Sequence, residues 1–410
     1  MMLYYELKKI WVKRSTKIAL LLLAGVLALT CYLSIHDVYY VNENGEIEYG
    51  IAAIGKLKAA KKEWAGLLTE EVIADVIAEN IRINETPEGR SDDDVKMSNI
   101  AYGWKQGFRD IRNMLITSYC KFQVWDYYRP DSLLPEDAAS FYENRILHLK
   151  EWLDEENQQN LYSEEEKAFL INRFETLKTP FYYDYADGFR MMSEYSAMVI
   201  MITTLIFGFM AAGIFSGEFG TKADAILFAS YHGRKQAVAA KLLAGLLWIT
   251  FLYFTIMFLY SIFVFGILGA DGAGVPIQIR KWKSFYNLTN MQEYLLTVFG
   301  GYVGILFIML LTMLVSAKTK STALAATIPF IIIFLPSFIF SDTLADIWMK
   351  VVGLLPDRLL DMNQSISLFS LYSIGGRVVG GIGILFVLYG SVSILLGPLI
   401  YQIYRKASAG

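Results

Sequence analysis

Residues 215 to 242 read FSGEFGTKADAILFASYHGRKQAVAAKL. The stretch carries Glu218, Lys222, Asp224, Arg234, Lys235 and Lys241, while the chain on either side is almost free of charge. A charge at the centre of a bilayer costs about 2.5–3.5 kcal/mol on insertion scales. The chain therefore leaves the membrane here and re-enters it. Thr221 to Tyr231 suits a short amphipathic helix, with Ala223, Ile226, Leu227 and Tyr231 on one face and Lys222 and Asp224 flanking it. Gly233 ends that helix and Lys241 opens the next apolar run. Snorkelling at span ends explains Lys235 and Lys241. It does not explain an apolar face on so short a polar segment, and such a stripe marks a partner site.

Working outward, a spanning helix needs about 20 mostly apolar residues. Thr16 to Ile35, Ser196 to Phe215, Ala240 to Leu268, Leu295 to Val315 and Val379 to Tyr401 meet this. Thr322 to Phe340 is slightly short but uncharged and carries IPFIIIFLP. Six spans are expected. The basic leader before Thr16 is not read as a cleaved signal, because the apolar part is long and no A-x-A site follows.

The composition fits a mixture of spans and a polar domain. Of 410 residues, 55% are hydrophobic and 19% charged. Asp37 to Arg190 hold 30 of the 40 acidic residues but only 18 of the 37 basic ones. That block is about −12 and the remainder about +9, summing to −3. The leader, the Glu218–Lys241 loop, the Lys318/Lys320 loop and the Arg405/Lys406 tail are basic and fall on one side under six spans, which makes that side the cytoplasm. One outer loop, with Arg280, Lys281 and Lys283, runs against the rule.

The fold expected is an all-α membrane protein: six transmembrane helices with a mainly helical extracellular domain inserted between helices 1 and 2. Residues 1–15 form an amphipathic interfacial helix, with Tyr4, Leu7, Ile10, Trp11 and Arg14 along one stripe. Residues 16–35 form the first span, 36–190 the domain, and 191–410 the remaining spans. Within the domain, Thr69 is an expected N-cap, and Ser163 with Glu166 an expected capping box. Glu136 to Glu155 is a further helix. Two aromatic clusters, Tyr119 to Tyr128 and Phe181 to Phe189, read as interfacial belts, where Tyr and Trp settle in bilayers.

Several chemistries are excluded. No ionisable side chain falls near a span midplane, which argues against an ion-coupled carrier or an intramembrane protease. Cys31 and Cys120 do not make a disulfide framework, and no HExxH or Cys/His cluster offers a metal site. No G-x-S-x-G and no phosphate loop occur, so no catalysis or ATP binding is expected in this chain, and no nucleic-acid partner. A membrane sensor or scaffold, with the domain as ligand detector, is the alternative.

The opening stretch resembles the segment after the second span in type-two ABC exporter permeases. The residues carrying the resemblance are Glu218, Gly220–Thr221, Ala225 to Phe228, Gly233–Arg234 and Lys241. The amphipathic leader, six spans and large first domain are similar to the type V exporters, which include the lipid-exporting A subfamily. The resemblance implies a coupling helix over 216–238 and an outer re-entrant segment over 341–372. It implies a permease without catalysis of its own, paired with an identical or related permease in the lipid bilayer. Two copies of a separate ATPase would carry ATP and Mg. The ATPase-coupling residues would be Glu218, Thr221, Ala223, Ile226, Leu227, Phe228, Tyr231, Gly233, Arg234 and Lys241. Ile226, Leu227 and Phe228 would form the contact, and Glu218 and Arg234 polar struts. The cargo would be amphipathic or hydrophobic, peptide or lipid-like, in export or in immunity against antimicrobial peptides.

Overall fold

The computed structural model describes residues 2–91, 94–155, 161–220, 229, 233–339 and 350–406, with backbone alone at 233, 234 and 337–339. Helix α1 (Met2–Val12) is followed by α2 (Arg14–His36). Between them Lys13 takes an extended conformation (φ −59°, ψ 134°), which turns the chain from one helix axis to the next. The half-buried side of α1 is Leu3, Glu6, Leu7 and Ile10, spaced as one helical face. Leu7 and Ile10 lie on the expected stripe, but Tyr4 and Trp11 stay exposed. Trp11 instead packs edge-on against Trp248 at 5.4 Å.

Helices α3 (Ile51–Lys62), α4 (Glu70–Asn84), α5 (Val95–Lys105), α6 (Arg109–Tyr119), α7 (Phe141–Leu153) and α8 (Glu164–Glu175) build the inserted domain. The Thr69 hydroxyl accepts from the Val72 amide, and Ser163 and Glu166 form the reciprocal capping box. Helix α7 starts later than the sequence suggests because Pro135 opens a 3-10 turn through Ser140. Short antiparallel ladders add a small β component to the helical fold. Tyr40–Val41 pairs with Ile47–Glu48, and Gly66–Leu67 with Tyr182–Tyr183, tying the start of the domain to its end.

Most rings of the second aromatic cluster, and two of the first, pack into a core rather than forming a belt. Phe181, Tyr183, Tyr185 and Phe189 are almost fully buried, as is Phe122, whereas Trp125, Tyr127 and Tyr128 are exposed. Packing decides this. Phe181 and Tyr183 join Ile73, Ile77, Phe108, Ile111 and Phe141 in one core, which also takes in Val275, Ile279 and Trp282 from 269–289. A second core joins Phe122, Leu149 and Phe174 to Phe285 and Leu371. The domain core is thus assembled from three separate segments of chain. Arg145 staples two of them. It sits 3.9 Å from the Phe174 ring, and donates to the Phe174 and Trp282 carbonyl oxygens. Burial pushes its guanidinium down to about 9.

The long helices follow. They are α9 (Asp187–Gly220), α10 (Val238–Leu268), α11 (Asn290–Thr319), α12 (Thr322–Ile339), the short α13 (Asp357–Leu360) and α14 (Met362–Ser367), and α15 (Gly381–Lys406). A hairpin of Leu371–Ile374 and Arg377–Gly380 precedes α15. Five helices, α2, α9, α10, α11 and α15, are long and apolar enough to cross a membrane. Helix α12 has 18 residues, with Pro329 and Pro336 inside it. Its rise is about 27 Å, against a hydrocarbon core of about 30 Å.

Helix α9 is central, packing against α2, α10, α11 and α12. Without water, span association depends on close packing and interhelical hydrogen bonds. A Cβ on Gly208 would lie 2.3 Å from Pro329 Cγ, so the glycine lets α12 approach. Ser34 pairs with Tyr260 at 2.8 Å, and Tyr253 donates to the Val298 carbonyl at 2.6 Å. Near the far end of α9, the Ser216 amide donates to Ser316 and its hydroxyl meets Thr322 at 2.7 Å.

Candidate functional site

Of the coupling helix expected over 216–238, residues 216–220 instead continue the long helix α9, and Val238 already belongs to α10. Thr221, Ala223, Ile226, Leu227, Phe228 and Tyr231 lie outside the described residues. Gly233 and Arg234 are described in backbone only, within a π-helical turn, Gly233–Ala237, that leads into α10. Glu218 and Lys241, which bracket the segment, are described, and the fold brings them together.

Glu218 lies in the last turn of α9, Lys241 in the first turn of α10, and both are buried. The Lys241 ammonium donates to Glu218 Oε1. Lys9 of α1 donates to the same oxygen at 3.0 Å. The Tyr404 hydroxyl, from the last turn of α15, donates to Oε2 at 2.9 Å. Glu6 of α1 stands 3.5 Å from Lys241 and 3.4 Å from Lys9. One carboxylate thus holds groups from α1, α10 and α15 against α9. The Tyr404 ring packs on Phe215 at 4.8 Å and on Phe219 at 5.9 Å. Lys320, in a left-handed conformation at the end of α11, reaches over the Phe219 ring at 4.7 Å. Five helix ends meet within one turn of Glu218.

A buried carboxylate with two ammonium partners is held in place, since losing either partner leaves charge uncompensated. Sequence reasoning identified Glu218 and Lys241 but not Lys9, Glu6 or Tyr404. The only signals were the i, i+3 spacing of Glu6 and Lys9 on α1 and a tyrosine beside the basic tail.

The opposite end of the bundle carries the inserted domain and its own ion pairs. Asp187, the first residue of α9, accepts from Lys61 and Arg190, each at 2.9 Å. Glu293, in the first turn of α11, accepts from Arg280 at 2.5 Å and Lys281 at 2.6 Å. That pairing accounts for two of the three cations that ran against the charge rule. They are tied to a buried acid rather than spread over a loop surface.

A family model for ABC-2 family transporter proteins matches residues 5–375, nearly the whole chain. The chain belongs to the ABC-2 transporter family. A search of curated proteins returns no match. Membership makes this protein a multi-pass membrane permease component of an ABC transporter, which is not itself catalytic and associates with an ABC ATPase. In this permease both described chain ends, α1 and α15, lie at the Glu218 end of the bundle, remote from the inserted domain.

Proposed function

We propose that this permease is the membrane-spanning half of an ATP-driven exporter, with α12 completing six spans. Two ATPase copies, carrying ATP and Mg, dock on the 221–232 segment of two permease chains, identical or related. The Glu218 end faces the cytoplasm and the inserted domain lies outside. The cargo is amphipathic or hydrophobic, peptide or lipid-like, for export or for immunity against antimicrobial peptides. The observation that carries the reading is the convergence on Glu218. A push on a segment that starts three residues beyond this carboxylate reaches α1, α9, α10 and α15 together. The apolar residues Ile226, Leu227 and Phe228 are the proposed ATPase contact, and 350–372 belongs to the proposed outer re-entrant segment. Leu227→Asp is expected to abolish capture of the ATPase while the permease remains in the membrane. Undiminished co-purification of the ATPase with that variant overturns the assignment.

A further inference from the structure

Where the inserted domain meets the ends of α2 and α9, a half-open cavity of about 1000 Å³ lies between them and the 279–284 loop. Its lining is cationic against the charge of its surroundings. Six cations and three carboxylates face it, and Asp187 and Glu293 stand behind, leaving an excess of one positive charge in a domain of about −12. Four of the cations share those two acids in pairs. The other two, Arg109 and Lys283, have no carboxylate partner among the described residues. Arg109 donates to the Tyr102 hydroxyl at 2.5 Å and lies over that ring, and Lys283 lies 5.5 Å from the Phe122 ring centre. Cations held on aromatic rings in a recess with low-dielectric walls attract an anion more strongly than the same charges on an open surface.

A second observation says what kind of anion. A ladder of rings runs from the bundle surface into the cavity. Tyr32, exposed on α2, lies 5.5 Å from His36, which stacks on Tyr49 at 4.4 Å. Tyr39 follows at 6.2 Å from Tyr49 and stacks on Tyr102 at 6.3 Å, beneath Arg109. The ladder begins on the last turns of a candidate span and ends on an unpaired guanidinium. Aromatic faces of this kind sit at the boundary between apolar chains and water. We propose that this cavity binds the phosphate-bearing headgroup of an anionic lipid, with its acyl chains left along α2 beside Tyr32. The headgroup phosphate pairs with Arg109 and Lys283, the two cations with no acid to release. This site is independent of the ATPase contact and of the direction of transport.

The test uses the full-length permease in neutral detergent, without ATPase. Short-chain phosphatidylglycerol, short-chain phosphatidylcholine and free glycerol phosphate are titrated in parallel, read by tryptophan fluorescence, since Trp125 and Trp282 line the cavity. Phosphatidylglycerol is expected to bind saturably, with each of the others at least about tenfold weaker, the scale of one charge-assisted contact. The double variant Arg109→Gln, Lys283→Gln is expected to weaken phosphatidylglycerol binding by about tenfold or more, with Arg109→Lys, Lys283→Arg retaining it. The thermal midpoint without lipid should be the same in all three proteins. Equal binding of the phosphatidylcholine, or wild-type affinity in the neutralised variant, overturns the site. Equal binding of glycerol phosphate overturns the lipid and leaves a soluble phosphate as the occupant.

Discussion

The two ends of the helical bundle solve the same problem differently. At the domain end, each acid is used twice over: Asp187 holds Lys61 and Arg190, and Glu293 holds Arg280 and Lys281. Around them, three chain segments share continuous hydrophobic cores, stapled by Arg145. At the other end the bundle core runs up to the charges through Phe215, Val238, Ile400 and Tyr404, and Glu218 gathers α1, α10 and α15 against α9. The first arrangement spreads its cations over two acids inside shared cores. The second places one shared acid beside the segment that lies between α9 and α10. The difference teaches that the same pairing of acid and cations can anchor a domain or tie helix ends together.

The domain end depends most on Glu293. Its side chain is only 2% exposed, and Glu293→Ala strands Arg280 and Lys281 without a carboxylate. Leaving buried charge unpaired costs about 3–5 kcal/mol, and a large fall in the thermal midpoint in detergent is the expected result. Glu218→Ala is expected to cost less, about 3 kcal/mol, because Glu6 already stands near Lys241 and can take up part of its charge. The sharper variant is Glu218→Gln. It should keep the fold yet uncouple the bundle from the ATPase, seen as ATP turnover no longer stimulated by cargo. If both ends respond only as stability losses, the distinction between them fails.

Between the ends, Gly208→Val tests whether the spans are as tightly specified as the termini. The added carbon meets Pro329, and overpacking of this kind costs about 1–3 kcal/mol. A variant with an unchanged midpoint would show α12 to be loosely held. The smallest expected effect is a pH effect in the domain. Burial pushes the Asp131 carboxyl up, but hydrogen bonds from Asn80 and Asn84 and the charge of Arg112 outweigh it, so its pKa lies below the ordinary carboxylate value. Its stabilisation is therefore complete above the unfolded value near 3.9 and lost as pH falls through the lower, folded one. Asp131→Asn should lower the neutral plateau modestly and flatten the acid limb of a stability profile, because the contribution it removes is present at neutral pH and already lost in acid.

Much of the fold was legible because the bilayer imposes a length. Runs such as Thr16 to Ile35 have one stable use, and the structure places a helix on each. Caps were legible too, since Thr69 and Ser163 act within one turn of chain. Phe122, Phe181, Tyr183, Tyr185 and Phe189 are buried where a belt was expected, because burial depends on partners far away in sequence. Phe181 and Trp282 lie 5.8 Å apart across about a hundred residues. The loop of Arg280 and Lys281 looked like an exception until Glu293 supplied its counter-charge. At the candidate site, Glu218 and Lys241 stood out as charges bracketing a segment, whereas Tyr404 had no local pattern to betray it.

Sequence alone was enough to locate the long apolar helices, the polar segment that interrupts them and the family, although it counted six spans where five helices are long and apolar enough. Those properties follow from local chemistry, apolar length and capping groups acting over a few residues. Only the tertiary structure decided which charges neutralise one another, that three segments share the domain's cores, and that one carboxylate joins four helices. Those outcomes depend on distances between side chains far apart in the chain, 235 positions in the case of Glu6 and Lys241. Such distances are fixed when the whole bundle packs, and no window of sequence contains them.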